Sequence, residues 1–211
     1  DEVSNTPAIQ KLAEEFNNWS LSELQVSVIM TGLLKEVAEL SSSHNLTFLV
    51  RADRFHVNKL QKLSIAQAYI KVFDITSDQA EEMAEMTQGY AYAFQLIGDL
   101  MYEELSTGKN FEDSWNYTKL AFKDTLFNQA YDVISHELTE IDFQFLYEMS
   151  KNNNISAIIE KMGKSKQYVN IYRTKLIKYD LIKTIIRGKL GFTLPLFREF
   201  IQAKYDELNW R

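Results

Sequence analysis

The chain has 211 residues, of which 45% are apolar and 25% charged, with a net charge of −6 and no cysteine. That length accommodates one large domain or two ordinary ones, and the missing cysteine excludes disulfides and thiolate zinc sites. No stretch approaches the roughly 20 apolar residues of a membrane helix and no secretory signal opens the chain, so a cytoplasmic protein with no membrane partner is expected.

The opening Asp1-Glu2-Val3-Ser4 lacks an initiator Met, which predicts a piece of something longer. Ile9, Leu12, Ala13, Phe16 and Trp19 recur at helical spacing and predict an amphipathic helix over Ala8–Trp19. Gln25–Thr31 is apolar, β-branched and closed by Thr31-Gly32. A run hydrophobic on both faces predicts a strand inside a parallel sheet. A short helix over Leu33–Leu40, a polar Ser-Ser-Ser-His-Asn loop and a second strand over Leu46–Val50 are expected next. The pattern turns helical from Ser64. Thr76 and Gln79 form a capping-box pattern at the start of Ser77–Thr87. Tyr90–Leu105 follows with Phe94, Ile97, Leu100 and Met101 at core spacing, then a long helical stretch from Phe111 to about Ser135. Thr139 caps a further helix, Glu140–Ser150, whose apolar stripe is Ile141, Phe145, Leu146 and Met149. The three histidines are scattered, and none is expected to ligate a metal.

Beyond this point the charge changes sign. Between Lys151 and Lys189 there are ten Lys or Arg against two acids, a net +8, while the rest of the chain carries −14. Such asymmetry points to a polyanion for the basic part, or to the acidic part docking against it. Asn154–Gly163 reads as a short helix ended by glycine, and Lys166–Tyr179 as a second helix capped by Ser165, with Val169, Tyr172, Leu176 and Ile177 facing inward. Two helices joined by a tight Gly-containing turn are the sequence form of a helix-turn-helix. Leu181–Arg187 and Leu190–Leu194, joined by Gly188-Lys189, predict a hairpin, and Phe197–Leu208 a closing helix. Order and lengths agree with a winged helix. In that arrangement Lys166, Gln167, Asn170, Arg173, Thr174 and Lys178 face the groove, where Gln and Asn suit adenine and Arg suits guanine. Lys164, Lys175, Lys183, Arg187 and Lys189 are expected on phosphates.

The layout resembles the C-terminal part of a bacterial or archaeal AAA+ P-loop ATPase, of the origin-recognition or STAND-like kind, from the Walker B strand onward. The fold this implies is mainly α with an α/β remnant: a truncated ATPase core over 1–60, a helical lid over 61–136 and a winged helix over 137–211. The resemblance implies that Asp1 holds Mg²⁺ and that Glu2 polarises the attacking water. It places Thr31 at the sensor 1 position, and Arg51 and Arg54 where an arginine finger reaches a neighbouring subunit's nucleotide in an oligomer. Two departures limit it. The sensor 2 region, Gly89–Gly98, offers Tyr90, Tyr92 and Gln95 but no Arg, and no G-x-x-x-x-G-K-[ST] loop is present. This chain alone is therefore expected not to hydrolyse ATP; ATP and Mg²⁺ belong to a full-length parent. The expected function is DNA binding controlled by the parent's nucleotide state. The alternatives are a regulatory module whose winged helix contacts protein, and a free-standing transcription factor with an α/β sensor domain.

Overall fold

The computed structural model describes residues 3–209 apart from Leu33, Arg54 and His56. The chain forms two compact units, 1–57 and 58–211, and the described residues are mainly helical.

In the first unit, α1 (Pro7–Leu21) begins where Thr6 Oγ1 accepts the Ile9 N–H at 3.4 Å and Pro7 supplies a preset φ at the first helical position. α2 (Leu34–Ser41) follows, and then a 3₁₀ turn over His44–Arg51. Their small core joins Val3, Ala13, Leu40 and Leu46, with Met30 and Phe48 against it. Neither expected strand forms, so the α/β character expected of this region is absent from its described residues. The run from Leu24 to Met30 has no regular secondary structure and joins no ladder. At its start the Leu24 N–H donates to Trp19 O at 3.1 Å and the Val26 N–H to Leu24 O at 2.9 Å; at its far end the Val3 N–H donates to Thr31 O at 2.7 Å, and a Cβ on Gly32 would come within 2.9 Å of Val3 O. A strand of this composition needs neighbours on both sides, and without them Ile29 is 90% exposed. Leu46–Val50 coils instead, because a five-residue apolar run fits a helical turn that buries Leu46 as readily as a strand.

The second unit opens with α3 (Lys62–Val72), α4 (Ser77–Thr87), α5 (Ala91–Ser106) and α6 (Phe111–Thr125), each packed on the next or linked through α5. The Thr76–Gln79 capping box forms as expected, with bonds of 2.9 and 3.3 Å. The long stretch to His136 is helical throughout but widens into a π segment, Leu126–Tyr131, before α7 (Asp132–His136). That widening carries Tyr131 into an aromatic cluster, with ring centroids 5.1 Å from Phe197 and 5.5 Å from Phe200. Tyr131 is fully buried and its hydroxyl donates to Pro195 O at 2.5 Å. One continuous core therefore runs from Ile65 to Ile201.

α8 (Glu140–Lys151), α9 (Ile155–Met162), α10 (Lys166–Lys178) and α11 (Phe197–Asn209) follow, with a two-stranded antiparallel hairpin, β1 (Ile182–Ile186) and β2 (Lys189–Phe192), between the last two and β1 packed on α10. In register, Lys183 faces Gly191 and Thr184 faces Leu190; Ile185 is bulged, and its side chain lies where a Cβ on Gly191 would come within 2.7 Å. The chain entering α9 runs along β2, with Ile155 N–H donating to Gly188 O at 2.9 Å and Leu190 N–H to Asn153 O at 3.0 Å. These bonds tie the hairpin to the start of α9.

Candidate nucleic-acid interface

Helix α10 is set by its ends. Gly163 takes φ +61 after α9, a left-handed conformation natural to glycine, and Ser165 Oγ accepts the Tyr168 N–H at 3.2 Å. Val169 and Leu176 are buried. Tyr168, Tyr172 and Lys175 are half-buried on the adjoining flank; the Tyr172 hydroxyl donates to that of Tyr168 at 3.2 Å, and this bond with burial raises the Tyr172 pKa. Ile177, expected inward, is partly exposed. Two rows at helical spacing stay open. One is Gln167, Ile171, Thr174 and Lys178, all exposed; the other is Lys166, Asn170, Arg173 and Ile177, of which Arg173 is half-buried.

The expected cations divide into two kinds. Lys164, Lys166, Lys178, Lys183, Arg187 and Lys189 are exposed, as is Lys161, and none forms an ion pair with a described residue. Lys175 is different. Its ammonium is held at 2.5 Å by Asp142, whose carboxylate is fully buried and also accepts from Thr139 N–H (2.9 Å) and Oγ1 (2.6 Å) as the capping box of α8. Lys175 thus ties α10 to α8 and is not presented to a phosphate. Arg173 is also engaged: its guanidinium donates to Asn170 Oδ1 at 3.3 Å and to Thr184 Oγ1 on β1 at 3.2 Å, and its Nε is buried without a partner. It braces the helix against the hairpin.

Lys59 is a cation that sequence reasoning did not place here. It donates to Thr193 O at the end of the hairpin and to Gln88 O. Burial lowers its pKa from the ordinary lysine value, and the nearby Lys183 charge lowers it further, while Asp180 opposes the shift. A lone lysine more than a hundred residues upstream carries no local signal for this position.

Of the nucleotide-site residues, Asp1, Glu2 and Arg54 lie outside the described residues. Thr31 follows the irregular run Leu24–Met30 and its carbonyl accepts from Val3; Arg51 is exposed at the end of the 3₁₀ turn. Among the described residues no group of three His, Cys, Asp or Glu could hold a metal ion. Tyr90 and Tyr92 pack against the core with rings 6.1 Å apart, and burial raises the Tyr90 pKa. No helix of the described residues is long and apolar enough to cross a membrane.

A family model described as a domain of unknown function (DUF8462) matches residues 128–201. The match starts inside the π segment and ends in α11, so it takes in α7 to α10 and both strands. No curated protein and no solved structure matches the chain.

Proposed function

We propose that residues 137–211 form a winged helix that binds double-stranded DNA, with α10 in the major groove and the hairpin along the backbone. The observation that carries this reading is a set of exposed cations with no acidic partner among the described residues. They are Lys161, Lys164, Lys166, Lys178, Lys183, Arg187 and Lys189, spread over the end of α9, the turn after it, both ends of α10 and the hairpin. In a chain of net charge −6, such cations gathered on one short module suit a polyanion. The succession of helix, helix, helix and antiparallel hairpin, with Arg173 and Lys175 bracing α10 from two sides, supports a rigid presentation.

Fluorescence anisotropy of the chain with a random duplex, across a salt series, tests it. These seven cations cap the slope of log K against log salt at about −6, and replacing Arg187 and Lys189 by Met reduces it by about 0.9 for each phosphate no longer neutralised. Absence of binding at moderate salt would refute it. A second reading, docking on a protein, is favoured by the exposed Ile171, Ile185 and Ile186, and a null result with DNA supports it. ATP and Mg²⁺ enter the proposal only through the longer AAA+-like protein implied by the resemblance, whose nucleotide state would control DNA engagement.

A further inference from the structure

The open surface of α10 is chemically biased. Its outer row, Gln167, Ile171, Thr174 and Lys178, presents an amide, a branched aliphatic and a hydroxyl with its methyl before reaching a charge. Ile171 is 63% exposed, so it contributes little to the core and faces outward from the middle of the helix. The side chain best suited to the guanine O6/N7 edge, Arg173, is in the neighbouring row, half-buried and bonded to Asn170 and Thr184. Its bond to Asn170 Oδ1 fixes the amide so that the NH₂ group remains to donate. Lys166 and Lys178 sit at the two ends of the helix.

We infer that the outer row of α10 selects A·T base pairs through the major groove, an inference that rests on the DNA-binding reading above. Gln167 pairs its amide with adenine N6 and N7, and Ile171 with the Thr174 methyl packs on thymine C5-methyl groups. Both interactions exist only in that groove, since the minor groove shows neither the adenine amino group nor the thymine methyl. The surrounding lysines hold the helix in place without choosing a sequence.

Competition binding with the intact chain at one moderate salt concentration tests this, using four duplexes of equal length: mixed-order A·T-rich, the same with uracil for thymine, the same with 7-deazaadenine for adenine, and G·C-rich. The expected result is about tenfold preference for the A·T-rich duplex over the G·C-rich one, falling by about fivefold on removing either the methyls or N7. Ile171→Ala should abolish the uracil effect and Gln167→Ala the 7-deaza effect. Both positions are exposed, so the variants fold, which circular dichroism checks. Equal affinity for all duplexes with a steep salt slope leaves DNA binding standing and overturns the inference. So does an A·T preference indifferent to both base changes, which belongs to groove shape. Failure to bind any duplex instead removes the DNA-binding reading itself.

Discussion

Asp142→Asn isolates the ion pair that orients α10. The carboxylate is fully buried, and a single oxygen accepts from Thr139 N–H, Thr139 Oγ1 and Lys175 Nζ, while the other has no partner. Asparagine keeps the shape and one acceptor, so part of the cap survives, but Lys175, 27% exposed, loses its counter-charge. Breaking a buried pair from one side costs about 3–5 kcal/mol. Partial solvation of Lys175 and the retained cap reduce that to about 2–3 kcal/mol. For a unit of this size, about 2–4 °C in Tm corresponds to each kcal/mol, so the expected loss is roughly 4–12 °C. Lys175→Met strands a carboxylate with no route to water and should cost at least as much. Urea denaturation followed by circular dichroism, run on both single variants and the double, gives the coupling, expected at about 1 kcal/mol or more. Additivity within about 0.5 kcal/mol, or a negligible effect of Asp142→Asn, would show that the pair does not hold α10 to α8.

Three further outcomes depend on single interactions. Tyr131→Phe removes a buried hydroxyl donor and leaves Pro195 O unpaired; it should lower stability by about 1–2 kcal/mol in the same denaturation assay with the secondary structure unchanged. Gly163→Ala meets open space but must hold φ +61, so it should cost about 1 kcal/mol by backbone strain alone, seen as a Tm lower by a few degrees. The hydrogen bond from Lys204 holds the Asp132 pKa below its ordinary value, with the Lys204 charge and His136 adding to the shift. A depressed carboxylate pKa stabilises the fold above the unfolded value and that contribution is lost as pH falls through the folded one. Asp132→Asn should therefore flatten the acid limb of a stability profile below about pH 4, leaving the difference from wild type constant at neutral pH; an unchanged acid limb would contradict the pairing.

What could be seen in the sequence was what local chemistry decides. Asn154, Gly163, Ser165 and Gly188 mark the ends of α9, the start of α10 and the hairpin tip, and each does so through its own backbone conformation or cap. The Thr76–Gln79 box and the Thr139 cap are likewise short-range signals, whereas the part Asp142 plays at that cap emerged only from the structure. The strand expected over Gln25–Thr31 does not form because strand formation depends on neighbours, which composition cannot supply. Lys175 resembles its neighbours on α10 in sequence because its partner, Asp142, is 33 residues away. Arg173 reads as a base contact for the same reason: the hydroxyl that takes its guanidinium, Thr184, lies on β1 and meets it only once helix and hairpin have packed.

Amide chemical-shift mapping by NMR of the intact chain, titrated with a random duplex at low salt, tests the central claim most directly. If α10 and the hairpin bind DNA, the largest shifts fall at Lys161–Lys166, along Gln167, Asn170, Ile171 and Thr174, and at Lys183–Lys189, all collapsing as salt is raised. Shifts confined to α3–α6, or a spectrum that does not respond to DNA, would contradict it.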